Sequence, residues 1–278
     1  MAIRTIAALA ALVWSVSAAA ATAPARLAAT ALTAKQVAEK SIAARGGLEA
    51  WRRIDTMAWS GYVESSGSTT PAMPFRMELK RPNKTRFEIT AIDKRFARIF
   101  DGSRGWRVRP GNSGAPEVKA FSKEEAAYSR DEFVIDGPLV DYEAKGVKLT
   151  LAGVDEMEGR KAYLLVANLP SGAERRIWID AETFLEVRSD RPSTNPLIKG
   201  TPISVYYREY RSIDGVQVPT VIETRTSTSA AQRLIIEKVA LNPALSDVAF
   251  GKPATPWQRH AIVRIDGEAG AGAARPSP

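Results

Sequence analysis

Phe96-Ala-Arg-Ile-Phe100 sets a guanidinium between two aromatic rings, because side chains alternate along an extended chain and Arg98 then shares a face with Phe96 and Phe100. Buried there, Arg98 needs a carbonyl or carboxylate partner, whose place an anionic headgroup could take. The competing arrangement turns Ala97 and Ile99 inward and lays Arg98 over exposed rings. On the next strand Arg107 is expected to point outward. Acid–base chemistry has little to draw on. The single histidine, His260, stands close to a Gly-, Ala- and Pro-rich end, which argues against a Ser-His-Asp arrangement or a multi-histidine zinc site. Asp155 with Glu156 and Asp180 with Glu182 could be imagined as a glycosidase dyad, but both pairs fall in turns where acids serve local hydrogen bonding. The chain has no cysteine, so disulfides, thiolate metal sites, thiol nucleophiles and a lipid-modified N-terminal Cys are excluded. No glycine run follows a strand in the manner of a phosphate or dinucleotide loop. Neither an enzyme nor a cofactor is expected.

The elements that must position these residues are mostly strands. In Glu174 to Arg188, Ile177-Trp-Ile179 and the run Phe184, Leu185, Val187 flank the turn residues Asp180 to Glu182, the pattern of a β-hairpin. Similar runs recur on both sides: Met57–Glu64, Met73–Arg81, Lys84–Thr90, Lys94–Asp101, Arg104–Pro110, Val147–Val154, Arg160–Leu169, Pro202–Ile213, Val216–Thr226 and Gln232–Leu241. Their turn spacing predicts one large antiparallel sheet or barrel of about eleven strands. Phe75, Met77 and Leu79 alternate with charged residues, as do Phe87 and Ile89, so one face is buried. Tyr163–Val166, Val205–Tyr207 and Leu234–Ile236 are apolar or aromatic throughout and predict strands shielded from water on both faces. A sheet of this size must curl around a core or an apolar cavity.

Two helices interrupt the pattern. Thr33-Ala-Lys-Gln36 is a capping box followed by a stripe of Ala34, Val37, Ala38, Ser41 and Ile42, and Gly46-Gly47 stops the helix. Such a helix could be a fixed cover or a moving lid. Ser122 caps a second helical stretch whose Glu124 and Glu125 lie in the first turn.

At the N-terminus, Arg4, the apolar run Ile6 to Val16 and Ala19-Ala-Ala21 are the three parts of a cleaved secretory signal. The expected organisation is a signal peptide over 1–21, one β-domain over 22–264 and a disordered tail over 265–278. A net charge of +8 favours anionic partners, but the basic residues are scattered, and no nucleic acid is expected.

Ala44-Arg-Gly-Gly47 with Trp51, Ile54 and Gly61, then Phe100-Asp-Gly102, Gly105-Trp106 and Pro110, then Gly137–Tyr142, Trp178-Ile-Asp180, Asp214–Pro219, Asn242-Pro243 and Phe250 together resemble the LolA-like outer-membrane lipoprotein-sorting superfamily over nearly all of the mature chain. The resemblance implies a half-open antiparallel β-barrel with a helical lid, carrying lipid or lipoprotein acyl chains across the periplasm. The side chains expected at the lipid are Met77, Phe87, Phe96, Arg98, Phe100, Trp106, Tyr163 and Trp178. An inner- or outer-membrane protein is a further expected partner. The alternative is a periplasmic regulator or scaffold that binds an envelope protein with the same fold.

Overall fold

Period-two patterning with a turn every ten residues or so leaves the chain little choice but to pair each strand with its neighbour. The computed structural model describes residues 32–67, 71–92, 94–111, 115–132, 134–193, 201–227 and 230–254. The expected signal segment, the tail and His260 lie outside the described residues.

Thirteen antiparallel strands form one sheet: β1 (Thr56–Ser65), β2 (Met73–Lys80), β3 (Lys84–Ala91), β4 (Lys94–Phe100), β5 (Gly105–Pro110), β6 (Pro116–Ala120), β7 (Lys148–Met157), β8 (Arg160–Asn168), β9 (Glu174–Asp180), β10 (Glu186–Pro192), β11 (Pro202–Ile213), β12 (Val216–Arg225) and β13 (Gln232–Leu241). Their order is β6-β5-β4-β3-β2-β1-β13-β12-β11-β10-β9-β8-β7, so two meanders meet where β1 pairs with β13. The ends β6 and β7 are edges, and the sheet is a half-open barrel. A bulge at Ser60/Gly61 lets β1 and β13 approach closely, and a Cβ on Gly61 would lie 1.8 Å from the Ile235 carbonyl oxygen.

Three expectations are corrected. The short strand β6 adds to the expected set, its Pro116, Glu117 and Lys119 carrying no apolar alternation. The second hairpin strand starts at Glu186, because Phe184 takes a left-handed conformation (φ 56°) that turns its ring onto Tyr163, 6.0 Å away, beneath Lys40. The two-sided strands are not dry on both faces: Leu164, Val166 and Ile235 are half-buried.

Helix α1 (Ala34–Ala44) carries the expected capping box between Thr33 and Gln36 and buries Val37, Ala38 and Ser41. With α2 (Leu48–Arg52) it covers part of the inner face. One core cluster joins Val37 to Leu165, Ile177 and Ile179, and another joins Trp51 to Met57, Leu79, Val140 and Val218. Asp136, whose side chain is 3% exposed, accepts from Arg81 Nη1 at 2.7 Å and Lys145 Nζ at 2.6 Å, while its carbonyl accepts from Arg45 Nη1 at 3.0 Å. Arg81 also donates to the Ile54 and Trp51 carbonyls, so one ion cluster ties both helices, β2 and the 134–146 segment together. On the outer face the chain after β13 crosses β2 and β3, with Lys80 donating to the Leu245 carbonyl, Arg86 to the Ala249 carbonyl, and Phe250 buried.

Candidate functional site

The pairing register sorts the inner face. Trp59 stands opposite Met77, Met77 opposite Phe87 and Phe87 opposite Arg98, while Phe75 stands opposite Ile89 and Ile89 opposite Phe96. Around the buried Val63, Phe75 and Ile236, the side chains of Trp59, Met73, Met77, Phe87, Ile89, Ile222, Leu234 and Val239 pack only partly buried. Helix α1 packs over β8 and β9, and α2 over the ends of β1, β2 and β12, and they leave this apolar stretch incompletely covered.

Its border is charged. Phe121 lies so close over Gly105 that a Cβ there would be 2.1 Å from the ring, and the ring stacks 6.4 Å from Phe100. Arg98 sits 4.5 Å above the Phe121 centroid. From there α3 (Lys123–Arg130), capped by Ser122 and Glu125 in a reciprocal box, drops the Glu125 carboxylate between two arginines, 3.6 Å from Arg98 and 3.2 Å from Arg107. Burial lowers the Arg98 pKa, and the Glu125 charge only partly offsets this.

Beyond α3 the border continues as a polar cluster. Arg175, 7% exposed, reaches Glu132 at 3.5 Å and the Tyr128 hydroxyl at 3.3 Å, and Arg191 stands over the Tyr128 ring at 5.3 Å. Burial opposes the charge on Glu132, but Arg175 and Arg191 outweigh it and hold the carboxyl below its usual range. Glu186 goes the other way: burial raises its pKa, and Arg45 and Arg175 recover only part of the shift. The Tyr207 hydroxyl lies 3.1 Å from Ser189 Oγ, and burial beside Glu186 pushes its pKa up.

Of the eight side chains expected at a lipid, Met77, Phe87, Phe96, Arg98, Phe100 and Tyr163 lie on the inner face. Tyr163 is set apart from the others, under α1. Trp106 and Trp178 are on the outer face. Trp106 packs with Ala97, Ile99 and Val108, and Trp178 donates to Asp155 Oδ2 at 2.8 Å beneath the Arg188 guanidinium. Arg107 faces inward opposite Arg98, not outward, since the β4–β5 register pairs the two. Arg175 and Arg191 were missed although Arg175 is in phase with Ile177 and Ile179, a signal available in the sequence. The imagined carboxylate dyads have structural partners. Asp155 accepts from Trp178, and Asp180 accepts from the Glu182 and Thr183 backbone amides and from Thr183 Oγ1.

These features define a LolA-like half-barrel. Solved structures with this fold include a LolA superfamily protein from Nitrosomonas europaea (TM-score 0.52, 14% identity, 80% of this chain and 99% of that one). A domain from Vibrio parahaemolyticus named for outer-membrane lipoprotein sorting matches at TM-score 0.53 and 10% identity over 79% and 96% of the two chains. A DUF1329 family protein from Desulfovibrio piger matches at TM-score 0.52 and 12% identity over 78% and 97%. No protein-family model matches the chain, and no curated protein does.

Proposed function

We propose that this protein is a periplasmic carrier that shelters the acyl chains of a lipid or lipoprotein on the inner face of its sheet for transfer toward the outer membrane. The observation that carries the reading is the apolar stretch from Trp59 to Phe87 and Leu234, which the chain's own helices leave partly uncovered. An apolar surface of this kind is normally buried or occupied. The signal-like N-terminus supports export, and the neighbours named for lipoprotein sorting support the cargo class. No cofactor enters this role.

The test is mass spectrometry of organic extracts from protein purified out of the periplasm without detergent, together with titration of an apolar fluorescent probe. A carrier retains lipid and binds the probe saturably, with displacement by fatty acids or phospholipids. A protein that retains no lipid and shows no saturable binding is not a carrier, and the scaffold reading then takes its place.

A further inference from the structure

We propose that the inner face carries a second subsite, over β5 and β6, that takes the anionic headgroup of an amphiphile whose chains lie on the apolar stretch. The inference rests on the carrier reading and names the substrate class. Two cross-strand rows lead to it. Met77, Phe87, Arg98, Arg107 and Lys119 are successive partners across β2 to β6. In the neighbouring row Phe75, Ile89 and Phe96 are partners; the β4–β5 pairing ends at Ala97 and Val108, one residue short of Arg109, and Arg109 pairs with Glu117. The first row changes from apolar to basic at β4, with Arg98, and the second at β5, with Arg109, before it ends on Glu117. With strands about 4.8 Å apart, the cations of β5 stand about 10 Å from the rings of β3. One molecule lying across the strands would meet both surfaces.

Charge and shape agree. From Arg98 across the inner faces of β5 and β6, the cations Arg98, Arg107, Arg109 and Lys119 face two carboxylates, Glu125 and Glu117. Glu125 is shared by Arg98 and Arg107, and Glu117 pairs with Lys119 at 3.0 Å. Arg109 makes no ion pair among the described residues. Arg107, Arg109, Glu117 and Lys119 line a recess of about 200 Å³. Two guanidiniums and an ammonium around one recess suit a phosphate-type anion, which accepts several charge-assisted hydrogen bonds at once. That chemistry could come from a phospholipid headgroup or from free phosphate. The continuity of the first row with the apolar stretch favours the lipid.

The experiment displaces a bound apolar probe with lysophosphatidylglycerol, with lysophosphatidylcholine of the same chain, both below micelle-forming concentrations, and with inorganic phosphate. The expected result is an anionic preference of about tenfold, equivalent to about 1.4 kcal/mol, that weakens as salt rises. In Arg109→Ala/Lys119→Ala the preference should fall below about threefold, while Lys148→Ala, an exposed cation of β7, should keep it. Unfolding midpoints for all three proteins verify that the variants fold. Equal displacement by both lysolipids overturns the headgroup subsite and leaves the carrier reading intact. Displacement by phosphate alone at comparable concentrations overturns the lipid as its source. Failure of the probe to bind overturns the carrier reading and the inference with it.

Discussion

Arg98 and Arg107 stand opposite one another across β4 and β5, and both reach the carboxylate of Glu125 on α3, at 3.6 and 3.2 Å. Like charges placed directly opposite in a ladder repel, so the carboxylate does two things: it relieves that repulsion and fastens the helix to the sheet. Glu125→Gln separates these roles from the cap, because glutamine still completes the box with Ser122. Stability should fall by about 1 kcal/mol, a modest figure because both guanidiniums remain partly solvated. Amide exchange over Lys123 to Arg130 should accelerate. Unchanged exchange would mean that the helix is held by Phe121 and Tyr128 instead.

Arg98→Leu should leave the fold intact, since an apolar side chain of similar reach can lie on Phe121, but it should change the affinity of an apolar probe. Arg107 shares the site, so the suitable control is Arg176→Leu, an exposed arginine paired with Glu174 on β9. Probe titrations of the two variants decide the matter. Equal and negligible changes would remove Arg98 from the ligand surface.

Asp136 is a structural charge of a different kind. Its carboxylate is nearly inaccessible and holds Arg81 and Lys145 within 2.7 Å. Removing one partner of such a buried pair takes away the carboxylate that both cations share, so Asp136→Ala should cost about 3–5 kcal/mol. Urea unfolding should show the loss as a lowered midpoint with an unchanged slope. For comparison, Asp247 binds Lys80 and Lys84 at the surface, and Asp247→Ala should scarcely move the midpoint.

Most of the strands, their antiparallel pairing, the capping box at Thr33 and the cap at Ser122 are legible because each follows from a local rule of period or capping. Faces were harder. Trp106 and Trp178 are among the side chains expected at the lipid. The register instead sends them outward, where Arg188 covers Trp178 and makes an aromatic residue tolerable on the outer side. Arg107 was misplaced because its partner across β4–β5 depends on the turn at Asp101 to Arg104, where Asp101 accepts from the Ser103 and Arg104 amides and fixes the pairing. The pairing of the charged border is not legible for a physical reason. Glu132 lies far along the chain from Arg175 and Arg191, and they meet only when the segment after α3 is laid against the sheet.

That border should also set how stability responds to pH, and two of its carboxylates should respond in opposite directions. Glu132 has its pKa held below the ordinary 4.5 once Arg175 and Arg191 outweigh burial, so its contribution is present above 4.5 and is lost as pH falls through the folded value. Glu186 has its pKa raised above 4.5 by burial, so its contribution is present below 4.5 and is lost as pH rises through the folded value. Each acid can be removed as a charge while its shape is kept. Glu132→Gln should destabilise the protein more at neutral pH than at about pH 3.5, whereas Glu186→Gln should be relatively more favourable at neutral pH than at about pH 3.5. Urea midpoints of the two variants and the parent at both pH values give the two differences directly. Differences of the same sign would show that the arginines do not hold Glu132 as an anion while burial holds Glu186 back from ionising.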